Sequence, residues 1–245
     1  MGKRSKRYAA AAANIDPGRL YRPGEALGLV EDTVTVSFDP TVELAVRLGI
    51  DPRKADQQVR GAVGLPHGTG KSVRVAVVAD DPKAAEAQQA GADVVGADEV
   101  ISRIDADQLD FDAVIATPDQ MGRIGRYGKV LGPRGLMPNP KSGTVTNEVA
   151  EAVRAVKAGK VEFRTDRQGN VHSVLGKASF PVSALLENYG AVIEELRRLR
   201  PSAAKGRYLR SVHVTTSMGP SIPIDPNNAR DLTPPTPAGQ TAGLA

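Results

Sequence analysis

Between Val73 and Gly159, short apolar runs alternate with helix-like stretches, and this rhythm restricts what the segment can form. Strands that alternate with helices of this length fold as a parallel sheet covered on both faces. Val73 to Ala79 is a continuous apolar strand broken only by Arg74. Pro82 to Ala90 reads as a helix closed by Gly91. Asp93 to Val95 is a short strand, Asp98 to Ile104 a helix, and Ala113 to Ala116 a buried strand ending at Thr117-Pro118. Thr144 to Thr146 is a last strand. Asn147 then caps a helix with Val149, Val153 and Val156 on one face and Gly159 at its end.

The flanks carry a different period. Val42 to Leu48 alternates apolar and polar, as a half-buried antiparallel strand does, and Leu209 to Thr215 alternates again. Lys160 to Thr165 and Asn170 to Leu175 read as two strands around the turn Asp166-Arg167-Gln168-Gly169. Ser183 is placed to cap a helix running to Arg200, with Leu185, Tyr189, Val192, Leu196 and Leu199 on one stripe and Pro201 stopping it. The expectation is α+β material on both sides of an α/β block. From Asn227 to Ala245 the chain is rich in Pro, Thr, Ala and Gly, with almost nothing to bury, and is expected to be disordered.

The charge follows the same division. The whole chain of 245 residues has a formal charge of +4, from 32 Lys and Arg against 28 Asp and Glu. Residues 1–66 carry +2, residues 67–158 carry −2 and residues 159–245 carry +4. Cys is absent, which excludes disulfides, thiolate metal sites and cysteine nucleophiles. Lys3, Arg4, Lys6 and Arg7 imitate the start of a secretory signal. The run after them, Tyr8 to Ala13, is nearly all alanine and shorter than the roughly 7–15 apolar residues needed. No apolar stretch approaches the ~18 residues that span a bilayer. A cytoplasmic protein without a membrane partner, its basic start a flexible arm, is the reading these features give.

An enzyme that binds a nucleotide or metabolite on the α/β block is the rival reading. Its best motif, Gly68-Thr69-Gly70-Lys71-Ser72, lacks the Gly five residues before Gly70, where Leu65 stands. A strand follows it, so no helix N-terminus is available for a phosphate. Gly122, Gly125 and Gly128 are spaced three apart and miss the dinucleotide fingerprint. His67, His172 and His213 are the only histidines, and no pair has ligand spacing. Catalytic residues, metal and cofactor are therefore all assigned as none. Gly68 and Gly70 read instead as a glycine hinge between two domains, with Pro66 just before them and Gly159 at the far boundary of the α/β block.

Two segments suit nucleic acid. From Met121 to Asn147 there is no acidic residue, while Arg123, Arg126, Lys129, Arg134 and Lys141 add five positive charges among glycines and prolines. A loop displaying cations and backbone N–H groups suits a phosphate backbone. The second segment is Thr215-Thr216-Ser217-Met218-Gly219-Pro220, where three hydroxyls, a flexible apolar side chain and a glycine suit 2′-hydroxyls and sugar edges. Five Tyr, four Phe and no Trp are too few for a base-stacking platform, so an RNA partner would be folded and read by shape.

Val130-Leu131-Gly132-Pro133-Arg134-Gly135-Leu136-Met137-Pro138-Asn139-Pro140-Lys141 resembles the signature of the ribosomal protein L-one family in its bacterial form. Leu48 to Lys54, Gln58 to Gly61, Leu65 to Gly68 and Thr215 to Gly219 fall in that family's order and spacing, so the resemblance runs from about Lys6 to Ile224.

The resemblance implies a discontinuous α+β domain, residues 1–66 and 159–245, with an antiparallel sheet and helices. Into it is inserted a Rossmann-like three-layer α/β domain, residues 67–158, on a two-strand hinge. It implies a structural, non-enzymatic protein of the large ribosomal subunit that binds the folded rRNA of the mobile stalk. It further implies help in releasing deacylated tRNA from the exit site, and repression of its own operon through the mRNA leader. By position, the rRNA contact would involve Phe38, Thr41, Ser211, Ser217, Met218 and Gly219, with Thr215 and Thr216 beside them. Ser217 stands where the family usually has Thr, which keeps the hydroxyl and loses a methyl. The basic segment would face tRNA or further RNA.

Overall fold

The structure, a computed structural model, describes residues 5–234. Lys3 and Arg4 of the basic arm and residues 235–245 of the expected tail lie outside the described residues. In chain order the elements are α1 (Lys6–Ala13), α2 (Pro23–Asp32), β1 (Thr41–Leu48), β2 (Arg60–Gly64), β3 (Val75–Val78), α3 (Lys83–Gln89), β4 (Val94–Val95), α4 (Ala97–Asp105) and β5 (Ala113–Ala116). They continue with α5 (Met121–Ile124), α6 (Gly128–Leu131), α7 (Val149–Lys157), β6 (Lys160–Arg164), β7 (Asn170–Lys177), α8 (Val182–Arg198), β8 (Leu209–Thr216) and β9 (Ile222–Ile224). The chain forms two compact units, Met1–Gly70 with Phe163–Ala245, and Lys71–Glu162.

The first unit is built on a four-stranded antiparallel sheet in the order β7-β1-β8-β9. Alternation along β1 sends Val42, Leu44, Val46 and Leu48 inward, all at most 2% exposed. Thr41, Glu43, Ala45 and Arg47 point the other way. The inward face meets α2, through Ala26, Leu27 and Val30, and α8, through Leu185, Tyr189, Val192, Ile193 and Leu196. β2 lies in a two-stranded sheet with β6. Gly61 of β2 is closely packed: an added Cβ would stand 2.5 Å from Leu199 Cδ1, so that side chain would have to shift. The strands on either side of the 166–169 turn do not form a hairpin beyond one bridge, Thr165 to Val171, because β7 leaves to pair with β1.

Three local expectations change. Lys6 and Arg7 belong to a helix capped by Ser5, whose hydroxyl accepts from Tyr8 N, and not to a flexible arm. Helix α8 starts at Val182 after Pro181, two residues before the expected cap is complete, because the fixed extended backbone of Pro181 sets its first turn. Residues 227–232, expected to be disordered, take a defined course. Asx turns from Asp225 and Asp231, an Arg22–Asp231 ion pair of 3.8 Å and buried Ala229 hold them. Leu232 lies against Gly190 of α8.

The second unit carries a parallel sheet in the order β4-β3-β5, with Val145 bridging to Ala116 in place of a further full strand. Successive residues of β3 enter opposite cores. Val75 and Val77 meet Ala87, Val149 and Val153, while Ala76 and Val78 meet Val100, Ile104, Ile124 and Leu131. Helices thus cover both faces, which is why Val75 to Val78 are all fully buried. Helix α7 is capped by Glu148 without a side-chain bond; Asn147 Oδ1 instead accepts from Lys83 Nζ at 2.7 Å.

One buried side chain ties the chain leaving β2 to the helical layer of the first unit. Asn188 of α8 is fully buried; its Oδ1 accepts from His67 N at 3.0 Å, and its Nδ2 donates to Leu175 O at 2.7 Å and Gly68 O at 3.1 Å. Asn188→Ala should lower the stability of this unit by about 1–3 kcal/mol, because one buried and two partly buried backbone groups lose their partner. Urea unfolding followed by circular dichroism measures it.

The next residue behaves oppositely. Tyr189 is buried and its hydroxyl has no hydrogen-bond partner. Burial holds the phenol well above its ordinary range. Unfolding would let it ionise above about pH 10, so its contribution to stability falls as pH rises past that point. Tyr189→Phe should leave neutral-pH stability unchanged or raise it by up to about 1 kcal/mol, and should reduce that alkaline loss.

Candidate nucleic-acid interface

Pairing of β1 with β8 sets Val42 opposite Thr216 and Glu43 opposite Thr215, and Ser217 N donates to Thr41 O at 3.0 Å. Residues from the two ends of the sequence therefore meet at one end of the sheet. β7 adds Lys177 opposite Thr41. Lys177 Nζ donates to Thr41 Oγ1 at 3.1 Å and to Asp39 O at 3.4 Å. Asp39 in turn accepts from Ser179 N at 3.1 Å and Ser179 Oγ at 2.8 Å. These bonds fix the loop that presents Phe38, which is 57% exposed.

The turn after β8 is equally constrained. Met218 is 78% exposed and has φ +66°, a left-handed conformation that costs an ordinary side chain about 1–2 kcal/mol. The turn closes through Gly219 N donating to Thr216 O at 2.9 Å. An added Cβ on Gly219 would stand 2.0 Å from Thr216 Oγ1, so only glycine fits there. Phe38 and Met218 are two of the five large apolar side chains that stand exposed among the described residues, and both sit at this sheet end. Backbone strain that holds an apolar side chain in solvent fits a surface that a ligand covers.

The hydroxyls divide by environment. Thr216 is 3% exposed and its hydroxyl is turned inward without a partner, so it is removed from the contact set; its place in the alternation faces the core. Thr215 Oγ1 lies 3.2 Å from Thr216 O and 3.3 Å from Gly219 O, and holds the turn. Ser217 is half-buried and its hydroxyl has no hydrogen-bond partner among the described residues. Ser211 shares the outward face but pairs with Arg47, four residues from Thr215, or about 14 Å along the strand. It belongs to the other end of the sheet.

Sequence reasoning missed Glu43, Lys177 and His213 on this outward face. Their signal lay in the strand alternation alone. Glu43 is exposed opposite Thr215. A carboxylate accepts hydrogen bonds and repels phosphate, which favours hydroxyl donors at this position. Burial pushes His213 below its ordinary range, so it is neutral at pH 7, with Nδ1 3.1 Å from Ser221 Oγ.

The basic segment of the second unit differs from the expected irregular loop. Pro118–Gln120 and Gly125–Tyr127 are 3₁₀ turns joined to α5 and α6, and Gly125, Gly128 and Gly132 all have helical φ near −55° to −60°. Its amides serve the chain's own carbonyls, as in Gly132 N to Gly128 O and Leu136 N to Leu131 O. Three of its side chains reach carboxylates at α4 and just beyond it: Arg123 binds Asp98, Tyr127 binds Asp105 and Arg134 binds Asp107. Arg126, Lys129 and Lys141 are exposed and make no ion pair among the described residues. Asn139, Ser142 and Thr144 bond one another at 2.8–3.2 Å and build a rigid turn under Lys141.

The hinge candidates are also ordered. His67 and Gly68 are held by Asn188 after Pro66, and Gly68 and Gly70 have φ +66° and +70°. Gly159, with φ +103°, follows α7 as its left-handed terminator. Lys71 of the phosphate-loop look-alike pairs with Asp112 at 2.5 Å, and the chain runs on into β3.

The model of the ribosomal protein L1p/L10e family matches residues 30–220. The large ribosomal subunit protein uL1 of Thermobifida fusca is 61% identical over 229 residues, covering 94% of this chain and 97% of that protein. Those of Nocardia farcinica and Frankia alni are 60% and 59% identical, covering 95% and 94% of this chain and 98% and 97% of theirs.

Met218→Gly should relieve the left-handed strain. Set against the extra freedom of glycine in the unfolded chain, the net gain should be about 0.5 kcal/mol in urea unfolding. Nucleic-acid affinity should fall in the same variant, which separates a strained contact residue from a merely strained turn.

Proposed function

The chain belongs to the ribosomal protein L1p/L10e family, and from that premise we propose that its first unit binds the folded large-subunit rRNA of the mobile stalk through the sheet end formed by Thr41, Phe38, Thr215 and residues 217–219. The protein is a structural constituent of the large ribosomal subunit, works on the ribosome in the cytoplasm and is not an enzyme. The observation that carries the rRNA reading is that the strained, exposed Met218 and the exposed Phe38 stand at one end of the sheet, where Ser217 N donates to Thr41 O and the Ser217 hydroxyl has no partner among the described residues. Apolar side chains fit sugar and base edges, and the hydroxyl fits a 2′-OH. That combination reads RNA shape without stacking a run of bases.

The second unit contributes to tRNA release from the exit site in this reading. Support comes from Arg126, Lys129 and Lys141, the exposed cations of the 121–141 segment that no carboxylate neutralises. The hinge is assigned to the two crossings, Pro66 to Gly70 and Gly159, and movement about them carries deacylated tRNA outward. With no covalent chemistry involved, the mechanism is binding and rigid-body motion. Repression of the chain's own operon follows if the mRNA leader presents the same RNA shape to the same residues.

Ser217→Ala should cost about 1–3 kcal/mol of affinity for a stalk rRNA fragment, since an RNA polar group is left unpaired. Arg126→Ser with Lys129→Ser should leave that affinity within error and slow exit-site tRNA release. Filter binding and a tRNA-release assay on reconstituted subunits test both. Full rRNA affinity in the Ser217 variant would remove that residue from the contact.

A further inference from the structure

The positive charge of the first unit collects at the end of the sheet away from Met218. Three loops meet there, through Leu48 N to Gly169 O at 2.9 Å and Gly49 N to Tyr208 O. Residues 47–60, 164–170 and 205–211 carry nine Lys and Arg against three Asp, a net +6. Arg47, Arg53, Lys54, Arg164, Arg167, Lys205, Arg207 and Arg210 are all exposed, and none pairs with a carboxylate among the described residues. Elsewhere in the unit Arg19 pairs with Glu25, Arg22 with Asp231 and Arg198 with Glu195, while Arg7 and Arg200 donate to backbone carbonyls.

Two of the three carboxylates in these loops are engaged by groups of their own loops. Asp166 is turned into its own loop, accepting from Gln168 N, Asn170 N and Asn170 Nδ2. Asp51 accepts from Arg53 N in the same manner. Arg164 and Arg167 line one cleft of about 240 Å³ with Gln58, Arg60, Thr165 and Asp166, whose carboxylate is engaged by its own loop. The guanidinium groups of Arg164 and Arg167, which no ion pair holds among the described residues, suit bidentate binding of phosphate oxygens.

We propose that this end of the sheet is a phosphate-backbone clamp, distinct from the hydroxyl and apolar contact at the Met218 end. The inference rests on the rRNA-binding reading and adds a second contact to it. Thr41 and Arg47 are six residues apart on β1, so the two contacts are separated by about 20 Å along one open face. The RNA must therefore present a groove edge to Ser217 and a backbone stretch to Arg164, Arg167 and Arg210 at once. Ser211, which shares this end, then acts with the clamp. The clamp supplies affinity that depends on salt and not on sequence, while the other end supplies selectivity.

The test measures the affinity of the full chain for a stalk rRNA fragment across a salt series. The combined variant Arg164→Ser, Arg167→Ser, Arg210→Ser should flatten the slope of log K against log salt by about 2, because each lost phosphate contact removes ~0.7–0.9. Ser217→Ala should lower affinity with the slope unchanged. Arg154→Ser, an exposed cation of the other unit, should change neither. Circular dichroism melts confirm that the variants are folded. A triple variant that melts like the parent and keeps its slope overturns the clamp and leaves the rRNA reading intact. A parent chain that does not bind the fragment overturns both.

Discussion

Everything in the first unit depends on β1 being hydrogen-bonded along both edges, to β7 on one side and β8 on the other. Its eight residues are separated from both partners by more than a hundred positions of sequence, so the two ends of the chain form one sheet. Closing so long a loop costs entropy that local contacts cannot offset. The compensation is the inward row Val42, Leu44, Val46 and Leu48, buried against α2 and α8. With register fixed by that row, the outward positions follow by alternation. Thr41 arrives beside Ser217, and Arg47 beside Ser211 and Asn170.

The same register explains why the contact is strained while the sheet is not. Thr216 continues the inward row, so its side chain fills the space where any side chain on residue 219 would have to stand. Gly219 is forced, and the turn that returns the chain over Thr216 throws Met218 into the left-handed region. The protein thus keeps an apolar side chain in water and an unfavourable backbone in the folded state. In the proposed reading, a bound RNA that buries Met218 offsets both. Asn188 plays the complementary part below the sheet, where it fixes the chain leaving β2 by backbone hydrogen bonds.

Periodicity made the long elements legible. Val42 to Leu48 and Leu209 to Thr215 alternate cleanly, and α7 shows its apolar face at Val149, Val153 and Val156. What periodicity cannot state is which strand pairs with which, and Lys160 to Thr165 suggested a hairpin that the structure replaces with β2–β6 and β7–β1 pairing. Weak elements escaped for identifiable reasons. β2 contains two glycines, one packed closely against Leu199, and β9 is three residues with Pro223 at its centre. Residues 121–135 read as irregular because glycine and proline usually break helices, yet single turns tolerate glycine where the backbone is crowded, as at Gly132 against Gly128 O. In the candidate site, the hydroxyl run and Gly219 were visible in sequence. The inward turn of Thr216 and the part played by Lys177 were not, because both depend on the register of strands far apart in the chain.

The central claim is that one end of an open antiparallel sheet, made from both ends of the chain, is the surface that meets rRNA. Amide hydrogen exchange of the full chain, with and without a stalk rRNA fragment, tests it most directly. Added protection is expected at residues 38–41, 177–179 and 215–219, and at the clamp loops 164–170 and 205–211, with residues 121–141 unchanged. Protection confined to residues 121–141, or absent from the sheet end while the RNA is bound, would contradict it.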